Sequence, residues 1–207
     1  MAKLKAPCMS LGASGQLGKA IVFFPWKGLN VAREFVVPAN PNTGAQQTIR
    51  GYLKDCVAAI HAAQALAALK LGPVDIAAYA AWASVVAAAS TWFNQINRNW
   101  IVQKVKAKKT AIYRGGEVVS ASKKLTITIY SDAIATGEIT VGDFWYGTSK
   151  SALINFKDAT ITVLDKKATA EITFAVGGTK NFIQFRPTTH ANYIGTYSGI
   201  YYGTPGV

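Results

Sequence analysis

Ten carboxylates, two histidines and two cysteines are all that 207 residues offer for acid–base, nucleophilic or metal chemistry. A metal centre needs several His, Cys or carboxylate ligands at fixed spacing, and the isolated His61, His190, Cys8 and Cys56 do not supply it. Acyl transfer would have to run through His61 or His190, and neither neighbourhood carries a G-x-S-x-G nucleophile elbow. Asp132, Glu138, Asp143 and Asp158 could form a glycosidase pair only if the fold gathered them, which spacing alone does not decide. No residue is therefore assigned a catalytic, cofactor-binding or metal-binding role, no cofactor is implied, and the chain reads as a non-enzyme.

The chemistry that the sequence does favour is surface recognition. Twenty-two Lys and Arg against ten acids give a net charge of +12, which draws the chain towards polyanions. The excess is spread, at +7 over residues 1–104 and +5 over residues 105–207. The one dense cluster is Lys104, Lys106, Lys108 and Lys109. On an extended chain Lys104, Lys106 and Lys108 would share a face, either as a phosphate track or as a solvated strand edge kept from pairing by its charge. Near the end, Tyr193, Tyr197 and Tyr201 recur every four residues, each followed two residues later by a glycine, Gly195, Gly199 and Gly203. On a strand that period keeps all six on one side, as an interior row or as a subunit contact. Trp26, at a turn, is a further candidate contact, and Trp145 and Tyr146 with the tyrosine row could stack on sugar rings.

These side chains need elements to hold them. Two apolar runs, AIVFFPW and LNVAREFVV, flank Lys27-Gly28 and predict a β-hairpin, ended by Pro38 and Pro41. Gly12, Gly15 and Gly18 precede a strand rather than joining strand to helix, so they are not a dinucleotide fingerprint. Thr43 and Gln46 have capping-box spacing and predict a helix start. Ile49, Tyr52, Leu53, Cys56, Val57, Ile60, Ala63 and Ala67 then form one apolar stripe until Gly72 and Pro73 stop it. Asp75 can cap a second helix through Tyr79, Trp82 and Val86, broken near Ser90, with Trp92, Phe93, Ile96 and Trp100 continuing its apolar face. The short connection predicts antiparallel packing of neighbours. Cys56 is expected to be a free buried thiol, and His61 to be exposed or hydrogen-bonded. Residues 76–93 carry no charge, but their alanine content fits a packed bundle and no membrane span is assigned.

From residue 105 the period becomes two, clearest where Leu125, Ile127 and Ile129 alternate with Thr126, Thr128 and Tyr130. About seven short strands follow at sandwich-like spacing. The expected fold is α+β: a hairpin plus helical module over residues 1–104, then an immunoglobulin-like or jelly-roll β-sandwich over residues 105–207.

The segment Phe23, Phe24, Trp26, Lys27, Gly28, Arg33, Pro38, Asn40, Pro41, Thr43, Gln47 and Arg50 resembles a group of uncharacterised short proteins from bacteriophage and metagenomic contigs, over about residues 10–100. The resemblance carries no activity. It implies a viral context, and with the preceding features it gives the expectation of a virion structural protein: a capsid, decoration, tail or neck subunit. Such a protein would be assembled in the host cytoplasm and would contact copies of itself and other virion proteins. The alternative is a nucleic-acid-binding protein using a basic, aromatic surface over Lys104 to Arg114 and the tyrosine-rich end.

Overall fold

The computed structural model describes residues 3–4, 13–27, 29–37, 42–85, 91–188 and 191–207. Cys8, Gly12, Gly28, Pro38, Asn40, Pro41, Val86, Ser90 and His190 lie outside them, so the expectations placed on these residues do too. The chain is mixed α+β, with three open antiparallel sheets and four helices among the described residues. It forms two units, residues 1–43 and residues 44–207. The change of period near residue 104 therefore falls inside the second unit.

The first unit is a single sheet in the order β1 (Lys3–Leu4), β2 (Ala13–Leu17), β3 (Ile21–Trp26) and β4 (Leu29–Glu34). Strands β3 and β4 pair antiparallel from Ile21 opposite Glu34 to Trp26 opposite Leu29. Lys27 turns the chain with φ 49°, the left-handed backbone that a two-residue connection demands at its first central position.

The second unit opens with α1 (Gly44–Ala65), which starts one residue after Thr43. Only the later part of its apolar stripe is covered: Cys56, Ile60 and Ala63 are buried, whereas Ile49 and Leu53 are exposed. Helix α2 (Pro73–Ala83) has Pro73 at its first position, where a missing N–H costs nothing. Asp75 is not the preceding cap, as its type suggested, because Gly72 holds that place and donates its N–H to Asp75 Oδ2 at 3.0 Å. Helix α3 (Trp92–Val105) is capped by Thr91, whose hydroxyl accepts the Asn94 N–H at 3.3 Å. Cys56, Ile60, Leu71, Tyr79, Ile96 and Ile112 close the helical core, with Trp82, Trp92 and Trp100 packed around it.

The strands that follow are β5 (Arg114–Ala121), β6 (Lys124–Tyr130), β7 (Gly142–Gly147), β8 (Asn155–Asp158), β9 (Thr160–Thr162), β10 (Lys167–Thr173), β11 (Asn181–Pro187) and β12 (Tyr201–Gly203). They form two sheets, ordered β5-β6-β10-β9 and β12-β11-β7-β8. Alternation does what the sequence implied: Leu125, Ile127 and Ile129 are buried, and meet Phe144, Ile172, Ile183, Phe185 and Tyr201 in one core fed by both sheets. Residues 132–135 form a short helix, α4 (Asp132–Ala135), where Ser131 and Asp132 favour a helix start. One local expectation fails. The terminal strand is confined to Tyr201–Gly203, because Gly195 takes φ +102° and breaks the extension that the tyrosine repeat requires.

Candidate interaction surfaces

The helices and strands of the second unit are joined by buried polar contacts. Asp75, only 1% exposed, accepts four hydrogen bonds: from Gly72 N–H, Gly115 N–H at 2.9 Å, Gly116 N–H at 2.9 Å and Tyr201 Oη–H at 2.7 Å. Tyr79 donates to Tyr113 O at 3.2 Å and accepts the Tyr113 N–H at 3.1 Å. Burial, and then the charge of Asp75, holds the Tyr201 phenol well above its ordinary range; burial does the same to Tyr79 and Tyr113. Cys56 is free and buried, and burial pushes its thiol up to about 12, so it is no nucleophile at neutral pH.

Of the residues that sequence reasoning singled out, Tyr193 and Tyr201 lie inside. Tyr193 is 5% exposed and its hydroxyl donates to Glu138, while the Tyr201 ring lies against Gly116. Tyr197 alone of the three is half-buried rather than buried, beside Trp82 with ring centres 6.3 Å apart. The lysine cluster is not a strand. Lys104 closes the last turn of α3 with its Nζ 5.8 Å from the Trp100 ring centre, and Lys106 caps that helix, where a cation meets the negative end of the helix dipole. Lys108 donates to Ile194 O at 3.2 Å, and Lys109 pairs with Glu138. Two of the four cations are thus tied to the chain itself, and no flat phosphate track results.

The carboxylates are partly gathered. Asp132 and Glu138 line one cavity of about 400 Å³ with Trp100, Arg114 and Tyr193. Asp132 is held bidentately by Arg114 at 2.6 and 3.0 Å, and Lys109 with the Tyr193 hydroxyl keeps the Glu138 carboxyl below its usual range. Asp143 and Asp158 face each other across β7 and β8, and burial, then the Asp158 charge, raises Asp143. No group of three or more His, Cys, Asp or Glu that could hold a metal occurs among the described residues. No helix among them is long and apolar enough to cross a membrane.

Two surfaces remain. The first is the sheet of residues 1–43, in which no described side chain is buried. Trp26 stands 59% exposed there, with Ile21, Val36 and Val37 also in the open. The second is the outer face of the β12-β11-β7-β8 sheet. Registers place Gln184, Trp145 and Phe156 in one row across it, Arg186, Asp143 and Asp158 in the next, and Tyr202 opposite Phe182 further along. Trp145 and Phe156 lie 5.4 Å apart, and Lys180 Nζ sits 3.9 Å from the Tyr202 ring centre. Tyr146, one residue from Trp145, points the other way and packs edge-on against Phe174 at 5.7 Å. Sequence alternation separates Trp145 from Tyr146, but nothing in it joins Arg186 to Tyr197 across a turn. Compared with protein-family models, curated proteins and solved structures, the chain matches none.

Proposed function

We propose that this chain is a structural protein of a bacteriophage virion, a capsid, decoration, tail or neck subunit that works by self-assembly and contacts with other virion proteins. The observation that carries the assembly reading is the sheet of residues 1–43, which is rich in β-branched and aromatic residues and buries none of its described side chains. A sheet gains stability by covering one face against another layer. In this reading the other layer comes from a neighbouring subunit, and the exposed Ile49 and Leu53 of α1 extend the same need. The two later sheets, sharing one core, are read as an immunoglobulin-like or jelly-roll sandwich that serves as the rigid body. The viral context rests on the resemblance of the segment from Phe23 to Arg50. Sedimentation velocity over a concentration series, with mass spectrometry of purified particles, tests this. Concentration-dependent association and presence in particles are expected; a chain that stays monomeric and is missing from particles would overturn the reading.

The second reading is nucleic-acid binding, favoured by the net charge of +12. Filter binding at two salt concentrations separates the two. Tight binding that weakens steeply with salt would promote it, because phosphate contacts release counterions; no binding at low salt removes it.

A further inference from the structure

Arg186 is fixed on three counts and left open on a fourth. Its guanidinium carbon lies 4.9 Å from the centre of the Trp145 ring and 5.1 Å from that of Tyr197. Its Nε–H donates to Gln184 Oε1 at 3.2 Å, and Gln184 is itself held by donating from Nε2 to Ser198 O at 2.9 Å. Neither Nη group has a hydrogen-bond or ion-pair partner among the described residues, although Asp143 sits directly opposite on β7. A guanidinium has a planar fork that takes a carboxylate or phosphate through two parallel N–H···O bonds. Holding the fork in place beforehand removes the rotamer entropy that an arginine otherwise loses on binding. The side chain is also partly withdrawn from water, which strengthens any ion pair it makes.

We infer that Arg186 is the anchor for an acidic segment of a partner protein, whose carboxylate is gripped by both Nη groups. That the anion belongs to a protein rests on the assembly reading; the open fork does not. A nucleic-acid strand fits this face less well. Asp143 and Asp158 lie in the same row as Arg186 and repel any anion placed beyond the fork; a nucleic-acid strand carries its phosphates on the backbone it must lay along the row, whereas a peptide can reach the fork with one side-chain carboxylate and turn its others away. The nearby Tyr202 ring already carries Lys180, so it is not open for base stacking.

The test is an NMR titration of full-length protein labelled with 15N at arginine, using a short oligoglutamate peptide and, separately, an oligothymidylate of equal charge. The expected result is a saturable shift of the Arg186 side-chain resonance with the peptide. Arg186→Lys keeps the charge but loses the fork and should weaken binding about tenfold, the scale of one charge-assisted contact. Tyr197→Ala keeps both charge and fork but removes one wall, and should weaken binding about threefold. Lys54→Gln, a single charge removed from exposed α1, should change binding less than about twofold. Equal losses in Arg186→Lys and Lys54→Gln, or an unmoved Arg186 resonance, would overturn the proposal. Tighter binding of oligothymidylate with the same resonance moving would also overturn it, in favour of nucleic acid. Self-association is read by sedimentation on the same sample, so failure of the anchor is distinct from failure of the assembly reading.

Discussion

Asp75 shows how one residue can tie three elements together. Its carboxylate meets the start of α2, two successive N–H groups of β5 and the Tyr201 hydroxyl of β12, all out of water. An amide at this position would keep one acceptor but turn an N–H group towards donors. Asp75→Asn is expected to destabilise the fold by about 2–4 kcal/mol, since each lost charged hydrogen bond leaves a buried donor unpaired. Urea denaturation of the two proteins measures this. The buried phenols set a pH limit in the alkaline direction. Tyr79, Tyr113 and Tyr201 are raised in the folded chain, chiefly by burial, so the fold holds their neutral forms. Unfolded tyrosines ionise near pH ~10, and above that pH the unfolded state binds fewer protons. The stability from these groups is therefore complete below that pH and falls as pH rises beyond it. Urea midpoints that decline above about pH 10, together with tyrosinate absorbance appearing only on unfolding, are the expected pattern.

At the scale of elements, glycines decide where the chain can pass. Gly199 runs so close to α2 that an added Cβ would lie 2.7 Å from the Ala78 Cβ and the Tyr79 backbone nitrogen. Gly51, inside α1, has nothing within 4 Å of that position. Gly199→Ala is expected to cost about 1–3 kcal/mol by overpacking, because helix backbone cannot yield. Gly51→Ala should stabilise by about 0.5–1 kcal/mol through helix propensity. Thermal melts of both variants give the two opposite signs. This contrast explains what could be read in advance. The stripe of α1 and the alternation of β6 were legible because burial follows a period set by backbone geometry, as Cys56 and Ile127 show. The tyrosine–glycine repeat misled for the same reason. Its period fits a strand, yet Gly195 turns the chain and Gly199 seats it on a helix, so Tyr193 and Tyr201 are buried while Tyr197 is half-buried against Trp82. Close approach is a property of two segments, and neither records the other in its own sequence. The Arg186 anchor was hidden likewise, assembled from β7, β11 and the segment after it.

The whole molecule divides its tasks unevenly. Residues 44–207 contain both buried clusters, with fully covered Ile60 in one and Phe185 in the other, and so hold what a stable fold requires. Residues 1–43 hold a sheet with no buried described side chain, so among the described residues this unit has no covered core of its own. Removing them should therefore leave the melting temperature within about 3 °C of the full chain, the shift that one kcal/mol makes at this size. In the assembly reading the same deletion should abolish concentration-dependent sedimentation, because the uncovered apolar strands are what a neighbour would cover. Leu53→Lys, on the exposed stripe of α1, should act in the same sense, weakening association while changing stability by less than about 0.5 kcal/mol. The two measurements are made on one sample and can disagree. A truncated chain that melts far lower would mean that residues 1–43 stabilise their own subunit, and one that still associates would move the contact to the later sheets.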